Sequence, residues 1–330
     1  MIILYLAALA AGFFALVKGA DLFVDGSSAL AKIFHVPSLI IGLTIVALGT
    51  SAPELAVSTS AAFQGANEIA LSNVIGSNIF NLLGVLGICA VIFPLPVEKG
   101  VLKRDFPFSV ITTGLLLGSL CGAVMAGGNL LVRYVDREVA VISRMTGAVL
   151  ILLFIGYICF LIYETKKTSS ADVIQEPGEG RKQSVWKCVL LILFGLALII
   201  AGGQAVVYGA KEIARAAGMT ETLIGLTIVA VGTSLPELVT SVAAARKGET
   251  GLAIGNVIGS NVFNLLFILG VSALIHPISV NLASVYDMGI LLLVSVLVFV
   301  FSLSAKRIAR PEGIVMVVLY IADVIFAVLR

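Results

Sequence analysis

Two glutamates, Glu54 and Glu237, stand inside apolar runs of the chain, each directly after a proline and shortly after a Thr-Ser pair. A carboxylate at the centre of a bilayer costs about 2.5–3.5 kcal/mol on insertion scales, so one that recurs marks an ion pathway or binding site. On a helix, Thr50, Ser51 and Glu54 fall within about one turn on a common face, as do Thr233, Ser234 and Glu237. Ser77 and Asn81 are spaced one turn apart, and Ser260 and Asn264 repeat that spacing. Carboxylate, hydroxyl and amide oxygens are the ligand set of hard cations such as Na⁺ and Ca²⁺. No His or Cys joins the cluster, which argues against zinc or copper. Pro53 and Pro236 lack an N–H, so the carbonyls of Gly49 and Gly232 lose their usual helical partners and the helix loosens. Backbone oxygen freed inside a membrane must be satisfied by protein, a polar cavity or a bound cation.

These residues belong to a repeat. Residues 42–87 align without gaps on 225–270, and 29 of the 46 positions are identical by direct count. Gly49-Thr50-Ser51-Ala52-Pro53-Glu54 returns as Gly232-Thr233-Ser234-Leu235-Pro236-Glu237, and Asn73-Val74-Ile75-Gly76-Ser77-Asn78 returns as residues 256–261. Two equivalent half-sites imply one shared site. Close helix packing by small residues accounts fully for Gly42, Gly49, Gly76, Gly225 and Gly259, but it leaves the glutamates unexplained. Asn73, Asn78, Asn256 and Asn261 fit either support of the site or bonds between helices.

Elements able to hold such a site must be membrane helices. The chain is 59% hydrophobic and 12% charged, and its uncharged runs approach the roughly 20 residues that cross a bilayer. A net charge of +2, with basic residues confined to connecting segments, gives no footprint for nucleic acid. The expected fold is an all-α polytopic membrane protein of ten transmembrane helices, at about 2–28, 38–63, 69–93, 106–126, 144–163, 187–210, 222–245, 251–275, 285–304 and 312–329. The first residues have no basic segment or cleavage site and read as the first span. A polar stretch, 164–187, containing Pro177-Gly178-Glu179-Gly180, separates a first five-helix half (1–163) from a second (188–330). An odd number of spans per half inserts the second copy upside down, giving two inverted five-helix repeats. Lys and Arg number fourteen on the linker side against six opposite, which places the linker in the cytoplasm and both termini outside the cell membrane.

The motif G-T-S-x-P-E followed by G-S-N-x-x-N, present twice, resembles the alpha repeats of the sodium/calcium exchanger family, within the cation/calcium antiporters. The resemblance implies ion sites built from Glu54, Glu237, Ser77, Ser260, Thr50, Thr233, Ser51 and Ser234, backbone oxygens of Ala47 and Ala230, and Asn81 and Asn264. It also implies that the long first and sixth helices slide across the core of repeats, driven by the Na⁺ gradient. Animal members carry Asp at the position of Glu237, and potassium-dependent members carry Asp at that of Asn264, so the resemblance predicts exchange without K⁺. The linker is too short for large regulatory calcium-binding domains.

The expected function is therefore a secondary antiporter exchanging Na⁺ for Ca²⁺ by alternating access, with no cofactor and no required oligomer. Two carboxylates neutralise one Ca²⁺ or two Na⁺, and the ions are close enough in radius to share a cage. Ca²⁺/H⁺ exchange on the same scaffold is the nearest alternative, and a calcium-permeable channel is a more distant one. The repeats contain no nucleophile with a base, and the chain has no Walker-type glycine loop, so an enzyme is not expected. Lys18, Asp21 and Asp25 share one side of the first helix and read as a self-compensating cluster, while His35 and His276 fall at span ends. Cys89, Cys121, Cys159 and Cys188 read as reduced packing residues.

Overall fold

The structure, a computed structural model, describes residues 2–65, 67–126, 138–169, 184–218 and 230–329. The helices are α1 (Ile2–Ile33), α2 (Ser38–Thr50), α3 (Ala52–Phe63), α4 (67–92), α5 (101–126), α6 (Arg144–Ser169), α7 (Val185–Ala216), α8 (Ala230–Thr233), α9 (Leu235–Arg246), α10 (Thr250–Ile275), α11 (Leu282–Leu303) and α12 (Arg310–Leu329). Among the described residues, seven helices are long and apolar enough to cross a membrane, or eight if the bent α2–α3 pair is one span. Most expected boundaries hold within a few residues. Helices α1, α6 and α7 run on to Ile33, Ser169 and Ala216, beyond the expected 28, 163 and 210, because their polar ends remain helical past the apolar run, so the first six residues of the expected linker 164–187 are helical. The start of the expected seventh helix, 222–229, and the linker residues 170–183 lie outside the described residues.

Burial sorts the helices into two groups. In the most apolar 18-residue stretch of Ile69–Ile92 and of Thr250–Ile275, 78% of the residues are buried, against 22% in Ile2–Ile33 and 33% in Val185–Ala216, so α4 and α10 form the centre and α1 and α7 the periphery. Apolar side chains facing lipid are expected outside such a core, since the bilayer supplies no water to exclude. Helices α1 and α7 pack antiparallel along glycines spaced by seven. A Cβ built on Gly12 would lie 2.8 Å from the Gly202 carbonyl oxygen, one on Gly19 2.8 Å from that of Gly195, and one on Gly209 2.7 Å from that of Tyr5. Glycine is required for backbones to approach this closely.

Two small ladders tie the ends of the bundle. β1 (Leu95–Pro96) pairs antiparallel with β4 (Arg307–Ile308), and β2 (Glu138–Ile142) with β3 (Ile278–Asn281). Among the described residues, four segments also relax into π-helical turns: Gly42–Val46, Phe80–Val85, Val101–Asp105 and Phe263–Ile268. The second and fourth fall at equivalent places in the repeat and contain Asn81 and Asn264. Such turns widen the backbone and often accompany functional sites.

Candidate ion-binding site

Each glutamate sits in the first turn of a helix that starts at a break. Ser51 (φ −84°, ψ 11°) leaves helical geometry between α2 and α3, which meet at a 49° bend. Ser234 (φ −96°, ψ 10°) does the same between α8 and α9. The prolines fall in the first turn of α3 and α9, where a missing N–H is tolerated. The sequence predicts loosening at these points, and the structure shows a full break.

The breaks exchange partners between the two repeats. The Ser51 hydroxyl donates to Glu237 Oε1 at 2.7 Å, and the Ser234 hydroxyl donates to Glu54 Oε1 at 2.8 Å. Ser234 Oγ also lies 3.0 Å from Ser77 Oγ, and Ser260 Oγ 3.5 Å from Glu237 Oε1. Glu54, Glu237, Ser51 and Ser234 are completely buried. The sequence places each serine on a common face with its own glutamate, and in the structure its hydroxyl bonds the glutamate of the other repeat.

A second set of bonds braces this arrangement. Asn73 Nδ2 donates to Ser58 Oγ (2.9 Å) and to the Glu54 carbonyl (3.4 Å); Asn256 Nδ2 donates to Ser241 Oγ (2.9 Å) and to the Glu237 carbonyl (3.4 Å). Thr50 Oγ1 donates to Asn256 Oδ1 at 3.0 Å and approaches the Ala47 carbonyl at 3.4 Å. Asn78 and Asn261 each donate to the other's carbonyl, at 3.3 and 3.4 Å, and Asn264 Nδ2 donates to Asn78 Oδ1 at 3.0 Å. Asn73, Asn78, Asn256 and Asn261 therefore bond between helices. Ser58 and Ser241, partners in this set, are identical in the aligned repeat but carry no special chemistry that would single them out in sequence.

What the protein leaves unpaired is as informative as what it pairs. Glu54 Oε2, Glu237 Oε2, Asn264 Oδ1 and both polar atoms of Asn81 are buried with no hydrogen-bond partner among the described residues. A buried polar atom left unpaired costs about 1–3 kcal/mol, more when charged. Oxygen donors of this kind, contributed by both repeats, are what a hard cation takes. Among the described residues no group of three or more His, Cys, Asp or Glu forms, so two acids and neutral oxygens are the donors present. Thr233 lies at the side, lining a cavity, and for Ala230 only the backbone is described.

That cavity, about 470 Å³, runs from Pro53, Gly232, Thr233 and Pro236 beside the glutamates to Tyr208, Lys211 and Arg215 near the end of α7. It lies along the half of α7 farther from the linker, since α7 begins at the linker and runs away from it. The charge cluster on α1 differs from the sequence reading: Asp21 and Asp25 pair with Lys247, beyond α9, and Lys18 is an exposed side chain. Long-range packing brought in a cation that spacing along one helix does not reveal. His35 and His276 do fall just past the ends of α1 and α10. All four cysteines are free, with Cys89 and Cys188 buried as expected and Cys121 and Cys159 exposed.

The exchanged pairing predicts a specific coupling. Ser51→Ala combined with Glu237→Gln is expected to show a non-additive effect on thermal stability of about 0.5 kcal/mol or more, while Ser51→Ala with Glu54→Gln adds. Equal additivity in both cycles would contradict the geometry.

A family model described as sodium/calcium exchanger protein matches residues 4–163 and 187–329. The putative antiporter CaxA of Alkalimonas amylolytica is 37% identical over 317 residues, covering 94% of each chain. The sodium/calcium exchanger MaX1 of Methanosarcina acetivorans is 33% identical over 332 residues, covering 93% of each. Among solved structures, the sodium-calcium exchanger NCX_Mj soaked with 10 mM Na⁺ superposes with a TM-score of 0.80 at 34% identity over the whole of both chains. With the duplicated glutamate site and a match along nearly its entire length, the chain belongs to the sodium/calcium exchanger family.

Proposed function

We propose that this protein is a membrane antiporter that exchanges Na⁺ for Ca²⁺ by alternating access, using Glu54 and Glu237 as the two charged ligands of one shared site. The observation that carries the reading is the reciprocal serine–glutamate pairing, which leaves one carboxylate oxygen of each glutamate buried and without a partner among the described residues. Two carboxylates balance one Ca²⁺ or two Na⁺, so the ions compete for one cage. Emptied of ions, two buried carboxylates repel and stay poorly solvated, which disfavours a closed empty site and couples the two fluxes. Ser77, Ser260, Thr50, Thr233, Asn81 and Asn264, with the carbonyls of Ala47 and Ala230, supply neutral oxygens. A relative named sodium/calcium exchanger supports the Na⁺–Ca²⁺ pair over Ca²⁺/H⁺ exchange.

The same reading has ten spans in two inverted halves joined by the cytoplasmic linker, with both termini outside. It is supported by the ladders: β1 follows α4 and pairs with a strand following α11, while β3 follows α10 and pairs with a strand preceding α6. Under this orientation the cavity faces the outside. The test is calorimetric titration of purified protein in Na⁺-free buffer. Ca²⁺ is expected to bind and to be displaced by Na⁺ with competitive, cooperative dependence; Ca²⁺ binding that Na⁺ leaves unchanged would contradict a shared site.

A further inference from the structure

The repeat extends beyond the site, and the places where it breaks are informative. Adding 183 to a residue number carries Gly12, Gly19 and Gly26 of α1 onto Gly195, Gly202 and Gly209 of α7, as it carries Glu54 onto Glu237. It also carries Gly65 (φ +71°), after α3, onto Gly248 (φ +79°), after α9. The two helix–turn units are thus equivalent, and they sit at opposite ends of the bundle. Their side chains are not.

On the linker side, Lys247 lies between Asp21 and Asp25 of α1. Its Nζ is 2.8 Å from Asp25 Oδ1, 3.4 Å from Asp21 Oδ1 and 2.8 Å from the Asp21 carbonyl oxygen. A second pair joins the same turn to the same helix, Lys32 to Glu249 at 3.6 Å. The turn itself is fixed, since Gly248 adopts the left-handed conformation and the Glu249 amide bonds back to the Ala244 carbonyl at 2.9 Å. On the opposite side the positions equivalent to Lys247, Asp21 and Asp25 are Gln64, Gln204 and Tyr208, and none carries a charge at neutral pH. Gln204 and Tyr208 line the cavity there, and Gln64 bonds to Ser60 of its own helix at 3.0 Å. The charged contact ties the turn after α9 to α1, whereas at the equivalent place on the other side a cavity lies between α3 and α7.

We propose that Lys247, held by Asp21 and Asp25, is a latch that closes the peripheral α1–α7 pair against the core on the linker side, and that the uncharged equivalents at 64, 204 and 208 make this the favoured conformation. The glycine seam packs α1 to α7 closely, so the pair moves as a unit, and opening the linker side separates Lys247 from both aspartates. By the repeat symmetry the reverse conformation closes the other side over Gln64, Gln204 and Tyr208, without the counterparts of the Lys247–Asp21–Asp25 charges. The charges bias the equilibrium between two otherwise related states. The inference concerns which face is closed and holds whichever ions are carried.

Spin labels on Trp186→Cys, at the linker end of α7, and Lys99→Cys, on the core at that side, report the gap by pulsed dipolar distance measurement. Exposed Cys121 and Cys159 are replaced by alanine for this purpose. Without Lys247→Gln the distribution is expected to centre on the closed distance. Lys247→Gln raises the ratio of open to closed molecules about fivefold, the shift that loss of exposed ion pairs gives. The exchange Asp25→Lys with Lys247→Asp returns the distribution toward the closed distance. Independently, Gln64→Lys with Tyr208→Asp builds the latch on the other side and raises the open fraction at the linker side. A Lys247→Gln distribution that superimposes on the parent, or a charge exchange that leaves the open fraction raised, would overturn the proposal.

Discussion

Glu54→Gln and Glu237→Gln are each expected to abolish Ca²⁺ exchange while leaving a folded, monodisperse protein. Both carboxylates are fully buried, and each keeps one oxygen without a hydrogen-bond partner among the described residues. Glutamine preserves shape and the contact with Ser234 or Ser51, so the breaks at Ser51 and Ser234 persist. What disappears is half of the charge facing a divalent ion. Removing one member of a buried charge pair costs about 3 kcal/mol or more, which is roughly a hundredfold in affinity. In the absence of ions the substitution relieves a buried charge, so the melting temperature in Na⁺- and Ca²⁺-free buffer is expected to stay level or rise. Measured flux above a tenth of the parent rate in either variant would remove that glutamate from the site.

Asn264→Asp is expected to change which ions the protein carries. Asn264 is buried in a π-helical turn, its amide nitrogen engaged by Asn78 and its oxygen unpartnered. A third carboxylate here meets two like charges in a dry site and must take up a proton or a further monovalent cation. Exchange by the parent chain is expected to proceed with K⁺ fully replaced by choline, and exchange by Asn264→Asp to depend on added K⁺ or on pH. Loss of parent activity without K⁺ would show that this asparagine does not set the requirement.

Much of this architecture is legible in the sequence because membrane helices and duplicated motifs are strong local signals. Apolar length places most helix boundaries within a few residues, and the repeat singles out both glutamates. What escapes is long-range geometry. Spacing on one helix puts Ser51 with Glu54, but the 49° break sends its hydroxyl to Glu237. Spacing on α1 puts Lys18 with Asp21 and Asp25, but the cation that binds them comes from residue 247. The glycine seam between α1 and α7 was open to detection, since Gly12, Gly19 and Gly26 share the offset of 183 with Gly195, Gly202 and Gly209. It lies outside the most similar stretch of the repeat, where identity no longer draws attention to it. The π-helical turns at Asn81 and Asn264 have no comparable mark, because no proline lies in either segment.

The central claim, one site shared by Na⁺ and Ca²⁺, is tested most directly by ⁴⁵Ca²⁺ uptake into proteoliposomes loaded with Na⁺ and diluted into Na⁺-free medium. The outward Na⁺ gradient is expected to drive Ca²⁺ accumulation that stops when the gradient is collapsed, with no uptake driven by K⁺ or pH gradients of equal size. Accumulation driven by the pH gradient while Na⁺ has no effect would contradict the account and install proton exchange in its place.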